Sequence, residues 1–332
     1  MNILITGAAG YIGSHIALNL IEKKKNFFLI DNLENSTIYN INILKKFYKK
    51  KINFSKLDVR DEKKLTHYLK KNKITHIIHL AGLKSVEESE MYPEKYYENN
   101  IIGTISILKS MDKAKTKNII FSSSATVYGD GNKNKINENT PVSYKNSYGL
   151  TKLVSEDLIK NFCKKKKLRT VILRYFNPVG SHKSFLIGDD PLKPRNLMPI
   201  LNKSAFTKEK KIFIYGNDYK TKDGTAVRDY IHITDLASSH IDCLKISNKI
   251  KNFEILNVGT GKPYSVLEIV KCYEKVNNIK FNIIYKKRRK GDAPVLFADN
   301  SKILKKTKWR PKSNIEEMCI SAYKFKSKKL LR

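Results

Sequence analysis

Residues 6–13 read Thr-Gly-Ala-Ala-Gly-Tyr-Ile-Gly, directly after an apolar run at Ile3–Thr6 and at the start of a helical pattern running from Ile12 to about Lys24. Strand, glycine turn and helix make the first half of a βαβ unit. Glycines at Gly7, Gly10 and Gly13 remove the Cβ atoms that would keep the backbone from turning tightly and approaching a pyrophosphate. The free amides of the helix N-terminus then favour the anion. The spacing is GxxGxxG, a common pattern by itself, and its place after the first strand gives it weight. The second apolar run, Phe27–Asp31, ends in a carboxylate. An acidic residue there accepts hydrogen bonds from both adenosine ribose hydroxyls and repels a 2′-phosphate, which predicts NAD in preference to NADP.

Further short apolar runs follow at Ile52–Leu57, His76–Leu80, Ile119–Ser123 and Thr170–Tyr175, separated by segments of helical periodicity. This alternation predicts an α/β fold, a doubly wound parallel sheet of Rossmann type covered by helices on both faces. After Asn177–Pro178–Val179–Gly180 the chain becomes Pro- and Gly-punctuated, with shorter elements at Asn196–Phe206, Lys211–Tyr215 and Phe281–Tyr285. A second, smaller α/β substrate domain is expected there. Ile233–Leu244 reads as a helix and Ile255–Val258 as a strand that return to the first sheet. The expected division is 1–176 with 230–258 for the nucleotide-binding domain, and 177–229 with 259–332 for the second. The Gly131–Asn139 stretch reads as a polar loop.

The formal charge of +34 invites a nucleic-acid reading, but only nine of the 65 basic residues are arginine. Lys, Asn and Ile are abundant throughout, the mark of an AT-rich coding sequence. Runs such as Lys23–Lys25, Lys49–Lys51 and Lys164–Lys167 fall where helices should end, where cations complement the helix dipole. They read as solvated surface, so no specific nucleic acid partner is expected. No apolar run approaches the roughly 18 residues a membrane-spanning helix needs. Cys163, Cys243, Cys272 and Cys319 are scattered without metal or redox spacing, so no metal is expected and a cytoplasmic location is.

Tyr148 and Lys152 stand four residues apart, on one face of a helix, and Ser122–Ser123–Ser124 closes the strand before it. A hydroxyl, a phenol and an ammonium beside a nicotinamide make a proton-relay set. A free phenol titrates near ~10, and bringing it to neutrality takes roughly 4 kcal/mol of preferential phenolate stabilisation. Lys152 and the positive ring of oxidised NAD are the two cations available for this. Asp58–Val59 and Ala81–Gly82–Leu83–Lys84 follow the third and fourth strands, at the carboxyl ends where ligands of open α/β sheets bind.

With these motifs in order, the chain resembles the UDP-glucose 4-epimerase family of the extended short-chain dehydrogenase/reductase superfamily. The resemblance spans nearly the whole sequence and is most specific in TGAAGYIGSH at 6–15, DNLENS at 31–36, AGLKSVEES at 81–89, FSSSATVYG at 121–129, LRYFNPVG at 173–180, NLMP at 196–199, YGNDYKTKDGTAVRDYIHI at 215–233 and RRKGDAPVLFAD at 288–299. It implies that Ser124, Tyr148 and Lys152 are catalytic and also contact cofactor, the first two touching substrate as well. It implies NAD contacts from Gly7, Gly10, Tyr11, Ile12, Gly13, Asp31, Asn32, Asn35, Ser36, Asp58, Val59, Leu80, Ala81, Gly82, Lys84, Asn99, Tyr175 and Phe176. The UDP-sugar would meet Asn177, Asn196, Leu197, Arg228, Arg289 and Asp292, with Tyr215 near the uracil. Leu296 would gate the sugar pocket.

The implied reaction interconverts UDP-glucose and UDP-galactose in galactose metabolism. Oxidation at carbon 4 is followed by rotation of the 4-keto sugar and reduction on its other face. The resemblance also implies a homodimer through helices near Glu94–Met111 and Ser147–Phe162. A nucleotide-sugar 4,6-dehydratase begins with the same oxidation, but usually carries Asp–Glu after the strand-ending hydroxyl, where this chain has Ala125–Thr126. An NAD-binding regulator or a dimeric scaffold are the readings from other classes. Intact Ser124, Tyr148 and Lys152 weigh against the first, since a sensor needs only the cofactor half.

Overall fold

The computed structural model describes every residue except 49–51, 130–134, 192, 290, 291 and 332. The Lys49–Lys51 run and residues 131–134 of the expected Gly131–Asn139 loop thus lie outside the described residues. Strands β1 (Ile3–Thr6), β2 (Phe27–Asp31), β3 (Asn53–Lys56), β4 (His76–His79), β5 (Asn118–Ser124) and β6 (Arg169–Tyr175) occur where the apolar runs put them. The chain then leaves for β7 (Asn177–Val179), β8 (Lys211–Tyr215) and β9 (Val227–His232) before returning as β10 (Phe253–Val258). Three short strands close the list: β11 (Pro263–Ser265), β12 (Asn282–Lys286) and β13 (Val295–Leu296).

Among the described residues the main sheet has seven strands in the order β10-β6-β5-β4-β1-β2-β3, each pairing parallel to its neighbour. Strand order reverses between β1 and β4, and the crevice at such a switch point is where doubly wound sheets bind nucleotides. Both strands are buried along their whole length, as expected of strands covered on both faces. The predicted return holds. β10 pairs with β6 from Phe253↔Thr170 to Val258↔Tyr175, and the preceding helix, Ile233–Ser247, packs on the Tyr11–Glu22 helix.

The second region is built on β9, flanked by β7 and β13 in parallel and β11 in antiparallel, with a separate parallel pair of β8 and β12. Phe281 was expected to open β12. Instead its side chain is buried beside Tyr273 and its amide donates to Glu274 Oε1 at 2.7 Å, so the ladder begins one residue later. The helix Leu197–Ser204 occupies the expected Asn196–Phe206 segment.

Two helices position the site. The Ser147–Lys166 helix starts where the Asn146 side chain accepts from the Gly149 amide at 2.8 Å, and ends with Lys164–Lys166 in its last turn. Both features match what helix termini require. The Pro93–Tyr96 turn runs into a π-helical segment, Tyr97–Ile102, and then the Gly103–Ala114 helix. Wide turns of this kind re-aim side chains. Here Asn100 is turned onto the loop after β4, its Oδ1 accepting from the Leu83 amide at 2.8 Å and its Nδ2 donating to the Leu83 carbonyl at 3.1 Å. Among the described residues no helix is long and apolar enough to cross a membrane.

Candidate active site

The glycine turn lies against the loop after β4. Gly7 has φ +67°, and a Cβ there would sit 2.7 Å from the Ala81 amide nitrogen. A Cβ on Gly13 would collide with the Gly7 carbonyl. Bare backbone is therefore required by packing as well as by any phosphate, and Gly10 leaves the N-terminus of the Tyr11–Glu22 helix without a side-chain cap. Such a cradle fits a dinucleotide pyrophosphate.

Asp31 is fixed before any ligand arrives. Its Oδ2 accepts from the Ala9 amide at 3.0 Å, and its Oδ1 accepts from the Leu33 amide at 2.8 Å and the Ser36 hydroxyl at 3.0 Å. Beside it, Asn32 donates to Asp58 at 3.0 Å and Arg60 forks onto the same carboxylate at 2.7–3.1 Å. Burial raises the Asp58 pKa, but Arg60 and Asn32 outweigh it and hold the carboxyl down at about 2. Thr6 Oγ1 accepts from the Leu80 and Ala81 amides, each at 3.2 Å. Val59 is buried, facing Gly103. Gly82 lies beside Asn100 and Lys152.

Across the crevice, Tyr11 donates to the Gly180 carbonyl at 2.8 Å, and Lys84 Nζ lies 5.9 Å from the Tyr11 ring and 3.9 Å from Asp189. Ile12 and Asn99 are half-buried and Asn35 is exposed. Tyr175 directs its hydroxyl to His240 Nε2 at 2.5 Å, on the Ile233–Ser247 helix. Phe176 packs with Ala125, Val127 and Leu296.

Tyr148 and Lys152 are both buried, on the Ser147–Lys166 helix. Lys152 Nζ donates to the Ser122 carbonyl at 2.8 Å and lies 5.8 Å from the centre of the Tyr148 ring. Burial lowers its pKa to about 8, opposed by Glu156. Burial raises Tyr148 to about 12, opposed by the Ser124 hydroxyl. The expected lowering of the phenol involves both Lys152 and the positive ring of bound NAD; in the polypeptide by itself burial dominates.

On the second region Arg228 and Asp292 pair at 2.8 Å, and the Arg289 guanidinium lies 4.0 Å from the centre of the Tyr215 ring. Asn196 begins the Leu197–Ser204 helix, is exposed and makes no side-chain cap. Asn177, at the start of β7, is also exposed. Leu296 pairs in register with Arg228, so the sugar-gate position stands next to the arginine and against the residues following Ser124.

The profile of the GDP-mannose 4,6 dehydratase family matches residues 4–321. A UDP-glucose 4-epimerase of Dictyostelium discoideum is 44% identical over 328 residues, 98% of this chain and 95% of its own. Among solved structures, a UDP-glucose 4-epimerase from Stenotrophomonas maltophila with bound NAD and formylated UDP-arabinopyranose aligns at TM-score 0.96 and 36% identity, over 100% of this chain and 99% of its own. Another, from Bifidobacterium longum with NAD+ and UDP, aligns at TM-score 0.95 and 39% identity, over 99% and 98%. The chain belongs to the UDP-glucose 4-epimerase family.

Within this epimerase family member, several residues that shape the site were not singled out from sequence. Asp229 is buried and collects the Thr260 amide and hydroxyl, the Gly261 amide and the Ala298 amide at 2.7–3.1 Å, joining the segments that follow β10 and β13. Ser89 accepts from the Tyr148 amide at 3.1 Å, and Glu90 accepts from the Ser147 amide at 2.8 Å, docking the start of the Ser147–Lys166 helix. Glu156 and Arg174 form a buried ion pair at 2.6 Å. An arginine inside the apolar run VILRYF was the available signal, since a charge in a central strand has to be paired.

Proposed function

We propose that this protein interconverts UDP-glucose and UDP-galactose by inverting carbon 4 of the sugar, with NAD held in the glycine cradle and at Asp31. The observation that carries this is the pair of buried Tyr148 and Lys152 beside the half-buried Ser124 at the end of β5, followed by Ala125 and Thr126, which cannot serve as acid or base for a dehydration. When bound, NAD accepts and returns hydride at carbon 4 and places a positive ring beside the phenol. Tyr148 Oη takes the proton of the 4-hydroxyl and later returns it, Ser124 bridges by hydrogen bond, and Lys152 keeps positive charge near the phenolate.

Arg228 and Arg289 suit the diphosphate, because a guanidinium donates in a fork and stays charged. Tyr215 offers its ring face to the uracil, while Asn177, Asn196, Leu197 and Asp292 border the sugar. Residues 1–176 with 230–258 act as the NAD-binding unit, and 177–229 with 259–332 as the UDP-sugar unit. The protein acts as a cytoplasmic homodimer, which fits its free thiols and the exposed Met91 and Tyr92 just before the Glu94–Met111 segment and Ile102 within it.

Purified protein incubated with UDP-galactose and no added NAD should form UDP-glucose, and deuterium at carbon 4 should survive in ordinary water. Exchange of that label with solvent would exclude hydride transfer. A protein that holds no nucleotide after dialysis and depends on added NAD would remove tight cofactor binding.

A further inference from the structure

The three serines that end β5 have three different partners. The Ser122 carbonyl accepts from Lys152 Nζ at 2.8 Å, the Ser123 hydroxyl donates to Glu156 Oε1 at 2.6 Å, and Ser124 stands beside Tyr148. Lys152 and Glu156 are one helical turn apart, so one helix face grips two consecutive residues of the strand and leaves the third for chemistry. Glu156 is fully buried. Arg174 on β6, 2% exposed, donates to it through Nε at 2.9 Å and Nη2 at 2.6 Å. The guanidinium lies 4.8 Å from the centre of the Tyr128 ring, whose hydroxyl donates to Asn257 Oδ1 at 2.7 Å on β10.

Burying an ion pair is expensive, and a well-packed apolar pair of similar volume is often as stable or more stable. A stability role alone therefore gives a weak reason for charges here. Their position gives a better one. The groups facing Lys152 are Tyr148 and Glu156 on its own helix, the Phe121 ring on β5 at 5.1 Å, and His79 on β4, whose imidazole burial keeps neutral with a pKa of about 3. Glu156 is the negative charge in this set. Beyond it, that carboxylate pairs with Arg174 at 2.6 Å and lies 3.7 Å from the Lys160 ammonium.

We propose that Glu156 is a positioning residue of the proton relay. Locked by Arg174, its carboxylate keeps the Lys152 ammonium charged and, through Ser123, fixes the strand end that carries Ser124. The proposal rests on the relay assigned above, and its test begins from parent protein of demonstrated epimerase activity. Absence of that activity would sink the relay itself.

The test is the pH profile of kcat in a charge-free double variant, Glu156→Leu with Arg174→Met. The double change leaves neither Glu156 nor Arg174 as a lone buried charge, so the variant should fold, retain nucleotide released on denaturation, and keep KM for UDP-galactose within about twofold. Its basic limb should move down by about one pH unit, a roughly tenfold loss of kcat on that limb. A folded, nucleotide-loaded double variant with the parent's kcat and pH profile would overturn the proposal. If the double variant does not fold, Glu156→Gln, which keeps shape and an acceptor for Ser123, must show the same downward shift, and an unmoved limb overturns the charge role. Ser123→Ala removes neither charge, only the hydrogen bond from the strand to Glu156. It should lower kcat several-fold with the profile in place, and unchanged kcat would overturn the strand-fixing role.

Discussion

The two sides of the cleft differ in how deeply their charged groups are set. On the relay side, Tyr148 and Lys152 are 9% and 6% exposed, and the ammonium is tied to a backbone carbonyl that cannot move without the sheet. On the second region, Arg228 divides its guanidinium between the Val227 carbonyl and Asp292, each at 2.8 Å, and Arg289 rests on Tyr215, which is 36% exposed. A fixed relay suits proton and hydride transfer, where small misplacements are costly. In the function proposed above, the Arg228–Asp292 pair and the Arg289–Tyr215 stack suit a site that must seize a diphosphate, let its hexose turn over, and release it, an incoming anion taking the place of Asp292.

The sharpest way to break this contrast is Tyr148→Phe. Turnover should fall by the ~10²–10⁴-fold typical of lost general acid–base catalysis, while nucleotide content and UDP binding, measured by calorimetry, stay near those of the parent. Near-parent turnover would remove Tyr148 from the relay.

Leu296 belongs to both sides, since it pairs with Arg228 and packs against Ala125 and Phe176. Leu296→Ala should raise kcat/KM for UDP-N-acetylgalactosamine relative to UDP-galactose by ~10–200-fold, the range a few methylenes decide in a pocket. Its buried packing also predicts a loss of about 2–5 kcal/mol in denaturant unfolding. Lost stability with an unchanged specificity ratio would make Leu296 a packing residue alone.

Arg228→Met should lower kcat/KM for UDP-galactose by about 10–100-fold, as expected for lost charged hydrogen bonds, with nucleotide content intact. Equal damage to cofactor retention would show that the two sides are not separable.

The smallest effect concerns Asp58, whose pKa is lowered from 3.8 to about 2. A carboxylate with a depressed folded pKa stabilises above its unfolded value, and that contribution is lost as pH falls from about 4 to about 2. Discounted for partial exposure, it amounts to about 1–2 kcal/mol. Acid unfolding followed by circular dichroism should show Asp58→Asn losing this part of the pH dependence, and an unchanged acid limb would assign no stabilising role to the Arg60 fork.

Legibility in the sequence followed the range of the forces involved. β1 and β2 have the bounds their apolar runs suggested, because strands buried on both faces are continuous in hydrophobicity. β7, β11 and β13 run for only two or three residues, too short to show a period, and take their form from pairing with β9. The placing of Tyr148 and Lys152 on one helix face, after a strand that ends in Ser124, could be read from spacing. Glu156 could not, since a glutamate on a helix that ends in lysines looks solvated until β6 brings Arg174 onto it.

The late return of β10 sets a timetable for synthesis. A ribosome that has made residues 1–176 has released six strands of the main sheet, but the outer edge of β6 has no partner until Phe253–Val258 emerges. At ~5–20 residues per second, that edge waits on the order of 4–16 seconds with its Arg169–Tyr175 amides and carbonyls open to other chains. A fragment ending at 176 would keep the same open edge permanently, so the nucleotide-binding unit is expected to aggregate as a truncated piece and to mature only late in translation.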